Sequence, residues 1–445
     1  MRKYNVILIN LNSLPGLDVV PIFPIGPVYV NSFLQQVGVN VKMVDFFLQP
    51  DYLETLEYLN EDFDCIAFSI RNIDTLELDA EIHLPNYRRI MNKIVSKAKE
   101  INPSTLVLIG GGGYAVYSEG LEKYLPFDFG VKGNVEENLF EIISNHIQKL
   151  QDDIKLIENF SMFEMKFDKE LVQTYLKLGS TQIGLPTRCG GRCPLKCSYC
   201  SYSKIDSKTN LLRPLSNLRN DILNLYEMGV REVFFTDSLF NISLSHAKSI
   251  CRMIMDLNLP DFKWFAYAKP TTDKEFIELA ARSGCQSLMV SFDTFSPVML
   301  KRLRKSFSVQ QAIEFINCCR EWNLTLIGLL LFGGPEENED TIRESCEFVN
   351  EHFKNGELFY SFGMRLLPGS ELSETSGIPE DELLFPTFWP FDEACFDYVI
   401  KHLDNSFFSF NRLARISNWR KGYHKLKPHI VEQTGITILR RSIEV

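Results

Sequence analysis

Four cysteines crowd into the segment TRCGGRCPLKCSYCSYSK, at positions 189, 193, 197 and 200, while the other seven of the chain's eleven lie scattered through apolar segments. Cys193, Cys197 and Cys200 stand in the spacing C-x3-C-x2-C. Three thiolates so spaced can hold three irons of a [4Fe-4S] cluster and leave the fourth iron open to a ligand. Cys189 cannot begin the triplet, because in that register the last cysteine would fall on Lys196. Two other readings stay open at this point: a four-cysteine zinc site that recruits Cys189, and buried thiols without a metal. The crowding on one loop points to metal binding in a reducing compartment rather than to a disulfide scaffold.

Such a loop needs a rigid frame, and the hydropathy pattern predicts two. The first spans residues 1–150, with apolar runs at Asn5 to Asn10, Val41 to Asp45, Cys65 to Ile70, Leu106 to Ile109 and Phe127 to Val131. Helical patterns separate them at Pro27 to Gln36, Leu53 to Leu59, Leu84 to Glu100, Ser118 to Tyr124 and Glu136 to Leu150. Five strands alternating with five helices predict an α/β, flavodoxin-like doubly wound domain, whose ligands sit beyond the carboxyl ends of its strands.

After an irregular link over 151–179, a second βα series fills 180–372. Its strands are predicted at Thr181 to Thr187, Glu232 to Asp237, Lys263 to Ala268, Ser287 to Asp293, Thr325 to Phe332 and Leu358 to Leu366. Six βα units make a (β/α)6 barrel, full or partial, with chemistry at the carboxyl ends of the strands. The cysteine loop follows the first of these strands. Residues 373–445 are expected to form a smaller, mainly helical piece.

Composition narrows the function classes. With 45% hydrophobic and 23% charged residues the chain is an ordinary globular one, and its net charge of -10 argues against nucleic acid as the main substrate. The N-terminus MRKYNVILINLN lacks a cleavage pattern and no run of ~18 uncharged apolar residues occurs, so a cytoplasmic enzyme without a membrane span is expected.

The segment around the three cysteines resembles the radical S-adenosylmethionine (SAM) superfamily, in which the triplet follows the first barrel strand and an aromatic residue, here Tyr199, precedes the last cysteine. FFTDSLFN, WFAYAKP, SFDTFSPVMLKRLRK and FGGPEENEDT resemble the superfamily's second to fifth strand segments. The resemblance implies a [4Fe-4S] cluster that gives one electron to SAM, which cleaves to methionine and a 5'-deoxyadenosyl radical. It also implies an electron donor such as a flavodoxin or ferredoxin. Carried over residue by residue, Asp237 and Asn241 become candidates for SAM or substrate contacts, Ser291 and Asp293 for the ribose or methionyl group, and Gly333, Gly334 and Pro335 for the turn near adenine. For the aspartates a helix cap or barrel-rim hydrogen bond is an equal alternative, and the glycines can simply make a turn.

A doubly wound domain ahead of such a barrel is similar to the cobalamin-dependent branch of the superfamily. FPIGPVYVNSFLQQVGVNVKMVDFF, SIRNIDT and LVLIGGGGYAVYSEGLEKYLPFDFGVKGNVEEN carry that resemblance. LNSLPG stands where other cobalamin enzymes have the histidine-bearing D-x-H-x-x-G loop, so no protein histidine is expected on cobalt. Gly110, Gly111, Gly112 and Gly113 would let backbone approach the cofactor, or else make a tight βα turn. Arg71 would lie against the lower corrin face, or else be solvated or salt-bridged. No G-x-G-x-x-G follows the first strand, which disfavours a dinucleotide.

The resemblance implies a methyltransferase acting through methylcobalamin on an unactivated carbon or phosphorus of a small metabolite or natural-product intermediate. The rivals are a radical SAM oxidoreductase, cyclase or lyase with a non-methylating or cobalamin-free front domain, and a zinc-stabilised interaction protein. Eight Lys or Arg against two acids from Asn411 to Val445 suggest an anionic substrate held by Arg412, Arg415 or Arg420, or a solvated basic surface.

Overall fold

The computed structural model describes residues 2–11, 21–48, 63–74, 83–151, 154–158, 164–180, 182–189, 193–203, 211–354, 356–390 and 392–403, and the backbone of strands at 408–409, 428–431 and 436–440. The helix expected at Leu53 to Leu59, the LNSLPG loop beyond Leu11, and Arg412, Arg415 and Arg420 lie outside the described residues.

In the front domain, β1 (Asn5–Asn10), β2 (Asn40–Asp45), β3 (Cys65–Ser69), β4 (Leu106–Gly110) and β5 (Phe129–Gly130) form one parallel sheet in the order β2-β1-β3-β4-β5. Strand alternation sends Ile7, Ile9, Ile66, Phe68, Val107 and Ile109 to one face, where Tyr87, Met91 and Ile94 of the helix Leu84–Ile101 cover them. Val6, Leu8, Cys65, Ala67 and Leu108 go to the other, against Phe33 and Leu34 of Ile25–Gln36 and Leu139 and Ile143 of Val135–Leu150. Burial on both faces is why these strands read as near-continuous apolar runs. The helix expected from Ser118 starts earlier, at Gly112, and runs to Tyr124.

The second series forms β6 (Gln182–Leu185), β7 (Glu232–Phe235), β8 (Lys263–Tyr267), β9 (Cys285–Asp293), β10 (Thr325–Phe332) and β11 (Leu358–Phe362), parallel neighbours in chain order. The sheet does not close on itself: β6 is one edge, and Phe408–Ser409 extends the other beyond β11. It is a partial barrel. Trp264, Ala266, Leu288, Val290, Phe292 and Phe332 pack outward in the helix-covered core. The alternate residues Phe234, Phe265, Tyr267, Met289, Ser291 and Leu329 stay partly or fully accessible on the concave face.

The link, expected to be irregular, carries the helix Lys169–Lys177, capped by Asp168. It staples the two domains: Tyr175 donates to Asp45 of β2 at 2.6 Å, and Phe23 and Val28 of the front domain join the barrel core. The C-terminal piece has the expected helices Glu371–Ser376 and Ala394–His402. To these the structure adds an antiparallel hairpin, Pro428–Val431 with Ile436–Arg440, which pairs with Thr387–Phe388. Among the described residues, no helix is long and apolar enough to cross a membrane.

Candidate active site

All eleven cysteines are unbridged, and the three of the triplet differ from the rest: Cys193, Cys197 and Cys200 are partly accessible while the other eight are buried. They lie in the loop beyond β6, at the barrel's carboxyl-end mouth. Burial pushes the Cys200 thiol up to about 11, and raises that of Cys197 against the pull of the Lys305 ammonium. Cys189 belongs to a different environment. It sits in a two-residue strand with Arg188, buried, its thiol hydrogen-bonded to the Tyr29 hydroxyl. The partly accessible triplet therefore fits a cluster with three protein thiolates better than a site that also uses Cys189.

Behind the cysteines lies a buried polar knot. Asp293, at the end of β9, accepts from the Tyr199 hydroxyl and from the Lys305 ammonium, the latter at 2.7 Å. Lys305 also stands 6.0 Å from the centre of the Tyr199 ring. Ser291, two residues back, is exposed on the concave face. Gly333, Gly334 and Pro335 form the turn after β10, and both glycine N–H groups donate to Glu337. A Cβ on Gly334 would come within 2.8 Å of the Met299 methyl, and Gly333, Gly334 and Pro335 are all buried, so this turn is packed from within.

Two candidates take the barrel-rim role instead. One Asp237 oxygen accepts from Thr187 N at 2.9 Å and the other from Arg188 Nε at 3.2 Å, which ties β7 to the root of the cysteine loop. Asn241, wholly buried, spends its amide on both backbone groups of Lys269, at 2.9 and 3.0 Å, and so fixes the loop after β8.

In the front domain the carboxyl ends of the strands open onto an apolar cavity of about 290 Å3, lined by Leu8, Tyr29, Ala67, Leu108, Gly110, Gly111 and Leu139 among others. Pro186, Arg188 and Thr236 of the barrel domain complete its wall. Gly111 has φ +96°, and a Cβ there would fall 2.4 Å from the Ile70 carbonyl oxygen. Gly113 would clash with Ile70, and Gly112 would crowd the Arg71 carbonyl at 3.3 Å. The glycines thus let β4 and its helix seat the Ile70–Arg71 loop closely, and Gly110 and Gly111 also face the cavity. Arg71 is exposed, and its charge acts on Tyr87 of its own domain and Tyr267 on the concave face of the barrel. It stands at the junction of the two domains.

Sequence reasoning passed over several residues of this junction. Arg365, just beyond β11, lies 2.8 Å from Asp74 with both side chains buried, and donates to the Tyr117 hydroxyl at 2.9 Å. Asp74 was within the quoted SIRNIDT and Lys305 within SFDTFSPVMLKRLRK, but only their buried ion pairs reveal a role. For Arg365 the available signal was a charge inside the predicted strand Leu358 to Leu366.

Residues 187–349 match the radical SAM superfamily and residues 19–143 the B12 binding domain. The chain is 28% identical over 198 residues to the tryptophan 2-C-methyltransferase of Streptomyces laurentii, an alignment that covers 41% of this chain and only 33% of that enzyme. It is 21% identical over 349 residues to an uncharacterized methyltransferase of Pyrococcus horikoshii, covering 74% and 73% of the two chains. Its fold is similar to that of the radical S-adenosylmethionine methyltransferase TsrM from Kitasatospora setae, with TM-score 0.71, 21% identity, and coverage of 84% of this chain and 75% of that one. With a B12-binding domain joined to a radical SAM domain, the chain is a cobalamin-dependent radical SAM enzyme, whose cofactors are a [4Fe-4S] cluster, SAM and cobalamin.

Proposed function

We propose that the chain is a methyltransferase that moves a methyl group from SAM, by way of cobalamin, to an unactivated carbon or phosphorus of a small metabolite or natural-product intermediate. The observation that carries this reading is the shared wall: Arg188, at the root of the cysteine loop, also lines the front-domain cavity. Two cofactor sites joined at one stretch of chain suit a reaction in which both act on one substrate. The names of the relatives, one of them a carbon methyltransferase, support it.

Cys193, Cys197 and Cys200 hold the cluster, and Tyr199, held by Asp293, orients their loop. Ser291, Asp293 and the turn Gly333, Gly334 and Pro335 border the SAM site on the concave face. The apolar cavity would take the nucleotide tail of cobalamin, with Gly110 and Gly111 letting the backbone approach it. Arg71, exposed at the domain junction, would bring a cation to the corrin. When bound, the cluster supplies the electron for SAM cleavage and the corrin carries the methyl group. A flavodoxin or ferredoxin is the fitting electron donor. The substrate carries a carboxylate or phosphate, which the basic C-terminal segment would hold.

Anaerobic purification followed by iron, sulfide and corrin quantification tests the cofactor assignments. An assay with methyl-labelled SAM against candidate metabolites, read for labelled product and 5'-deoxyadenosine, tests the reaction. Corrin retention with 5'-deoxyadenosine but no methylated product from any candidate would favour a non-methylating radical reaction.

A further inference from the structure

The stretch from Pro186 to Cys189 is gripped from two sides just ahead of the cysteine triplet. On the barrel side, Asp237 binds Thr187 N and the Arg188 guanidinium, which also donates to Ser238 Oγ at 3.3 Å. On the front-domain side, the Cys189 thiol hydrogen-bonds the Tyr29 hydroxyl, and that hydroxyl donates to Glu136 at the start of the helix Val135–Leu150. Tyr29 and Arg188 are both part of the cavity wall, whereas Cys189 is not. Cys189 is therefore a second contact, beside Arg188 itself, through which a filled cavity reaches the cysteine loop.

We infer that Tyr29 and Cys189 are positioning residues that couple filling of the front-domain cavity to ordering of the cysteine loop. The inference rests on the assignment of that cavity to the nucleotide tail of cobalamin. A group seated in the cavity packs against the Tyr29 ring and the Arg188 stem, contacts that an unfilled apolar cavity forfeits. It thereby favours the docked arrangement in which Tyr29 meets Cys189, and ligand binding to one arrangement stabilises that arrangement by mass action. The two cofactor sites would then be ordered together, with the corrin steadying a loop that already holds its cluster.

Amide hydrogen exchange on the full-length, cluster-reconstituted protein tests this under anaerobic conditions. In the unaltered protein, hydroxocobalamin slows exchange across 193–203, and cobinamide, which lacks the tail, does not. Tyr29→Phe keeps the ring and Cys189→Ala leaves the cavity wall untouched. Both variants retain the corrin by absorbance, but the slowing shrinks about fivefold, the equivalent of the ~1 kcal/mol net worth of one hydrogen bond. Cys189→Ser, which can still bond Tyr29, restores it. Corrin retention with unchanged exchange in the unaltered protein, or equal slowing in all variants, overturns the coupling alone. Failure to retain any corrin overturns the cobalamin assignment and the coupling with it.

Discussion

The Lys305 ammonium and the Tyr199 hydroxyl converge on one oxygen of Asp293, so that a residue of the cysteine loop is tied to the end of β9 through a buried ion pair. The carboxylate and the ammonium are each only 6% exposed, and Asp293 itself adopts φ +64°, a left-handed conformation that asparagine and aspartate tolerate better than most residues. A buried pair of this kind adds little over an apolar pair of the same shape, but removing one partner strands the other charge.

From this follows a double-mutant cycle. Lys305→Met and Asp293→Asn should each destabilise the protein by roughly 3 kcal/mol, the scale for a broken buried pair. The double variant should lose distinctly less than the sum, because neither charge remains unpaired. Urea denaturation of the four proteins reads the coupling, and strict additivity would mean that the pair is not acting as a unit.

The cysteine register makes a second forecast. Replacing Cys193, Cys197 or Cys200 by Ala should remove the cluster and SAM cleavage, whereas Cys189→Ala should leave the cluster largely assembled, since that thiol is occupied by Tyr29. Iron and sulfide content of the four variants decides it. Equal loss in all four would return the four-cysteine site to consideration.

The frame that holds these residues was legible because burial on both faces leaves an unambiguous mark on a parallel strand, as in NVILIN and TLIGLLLF. The start of the helix at Gly112 was not legible, because glycine weakens a helix on propensity and its packing reason, the close approach to Ile70, is tertiary. Asp237 and Asn241 were found by position, but the sequence could not say that their polar atoms would be consumed in fixing the loops at Thr187 and Lys269. Asp74 and Arg365 illustrate a further limit. Asp74 sits in a polar stretch and Arg365 inside an apolar predicted strand, but their pairing exists only once two domains have docked.

Cobalt coordination gives a third test. No histidine stands among the described residues that line the front-domain cavity, and Arg71 brings a cation to the domain junction. Protein produced anaerobically should bind one cobalamin with no protein histidine on cobalt. Electron paramagnetic resonance of the cob(II)alamin form reads this directly, and nitrogen superhyperfine splitting from an imidazole would contradict it.

The last prediction concerns Glu337, whose two carboxylate oxygens have unequal surroundings. One accepts from the N–H groups of Gly333 and Gly334; the other is buried with no hydrogen-bond partner among the described residues. Burial raises its pKa from 4.5 to about 7, with the two glycine N–H groups pulling the other way. The folded protein therefore binds this proton more tightly than the unfolded chain does. The resulting stability is fully present below pH ~4.5 and is lost as pH rises through about 7. Glu337→Gln is neutral at every pH and its amide oxygen can still accept from the turn. It should remove the part of the fall in Tm between pH 5 and 8 that Glu337 causes, on the order of 1–3 kcal/mol. Glu337→Leu, which leaves the glycine N–H groups unmet, should instead destabilise at both ends of that range by roughly 1–3 kcal/mol. Thermal melts of the three proteins across the range separate the effects, and a Gln variant that tracks the unaltered protein at every pH would show that Glu337 stays ionised throughout.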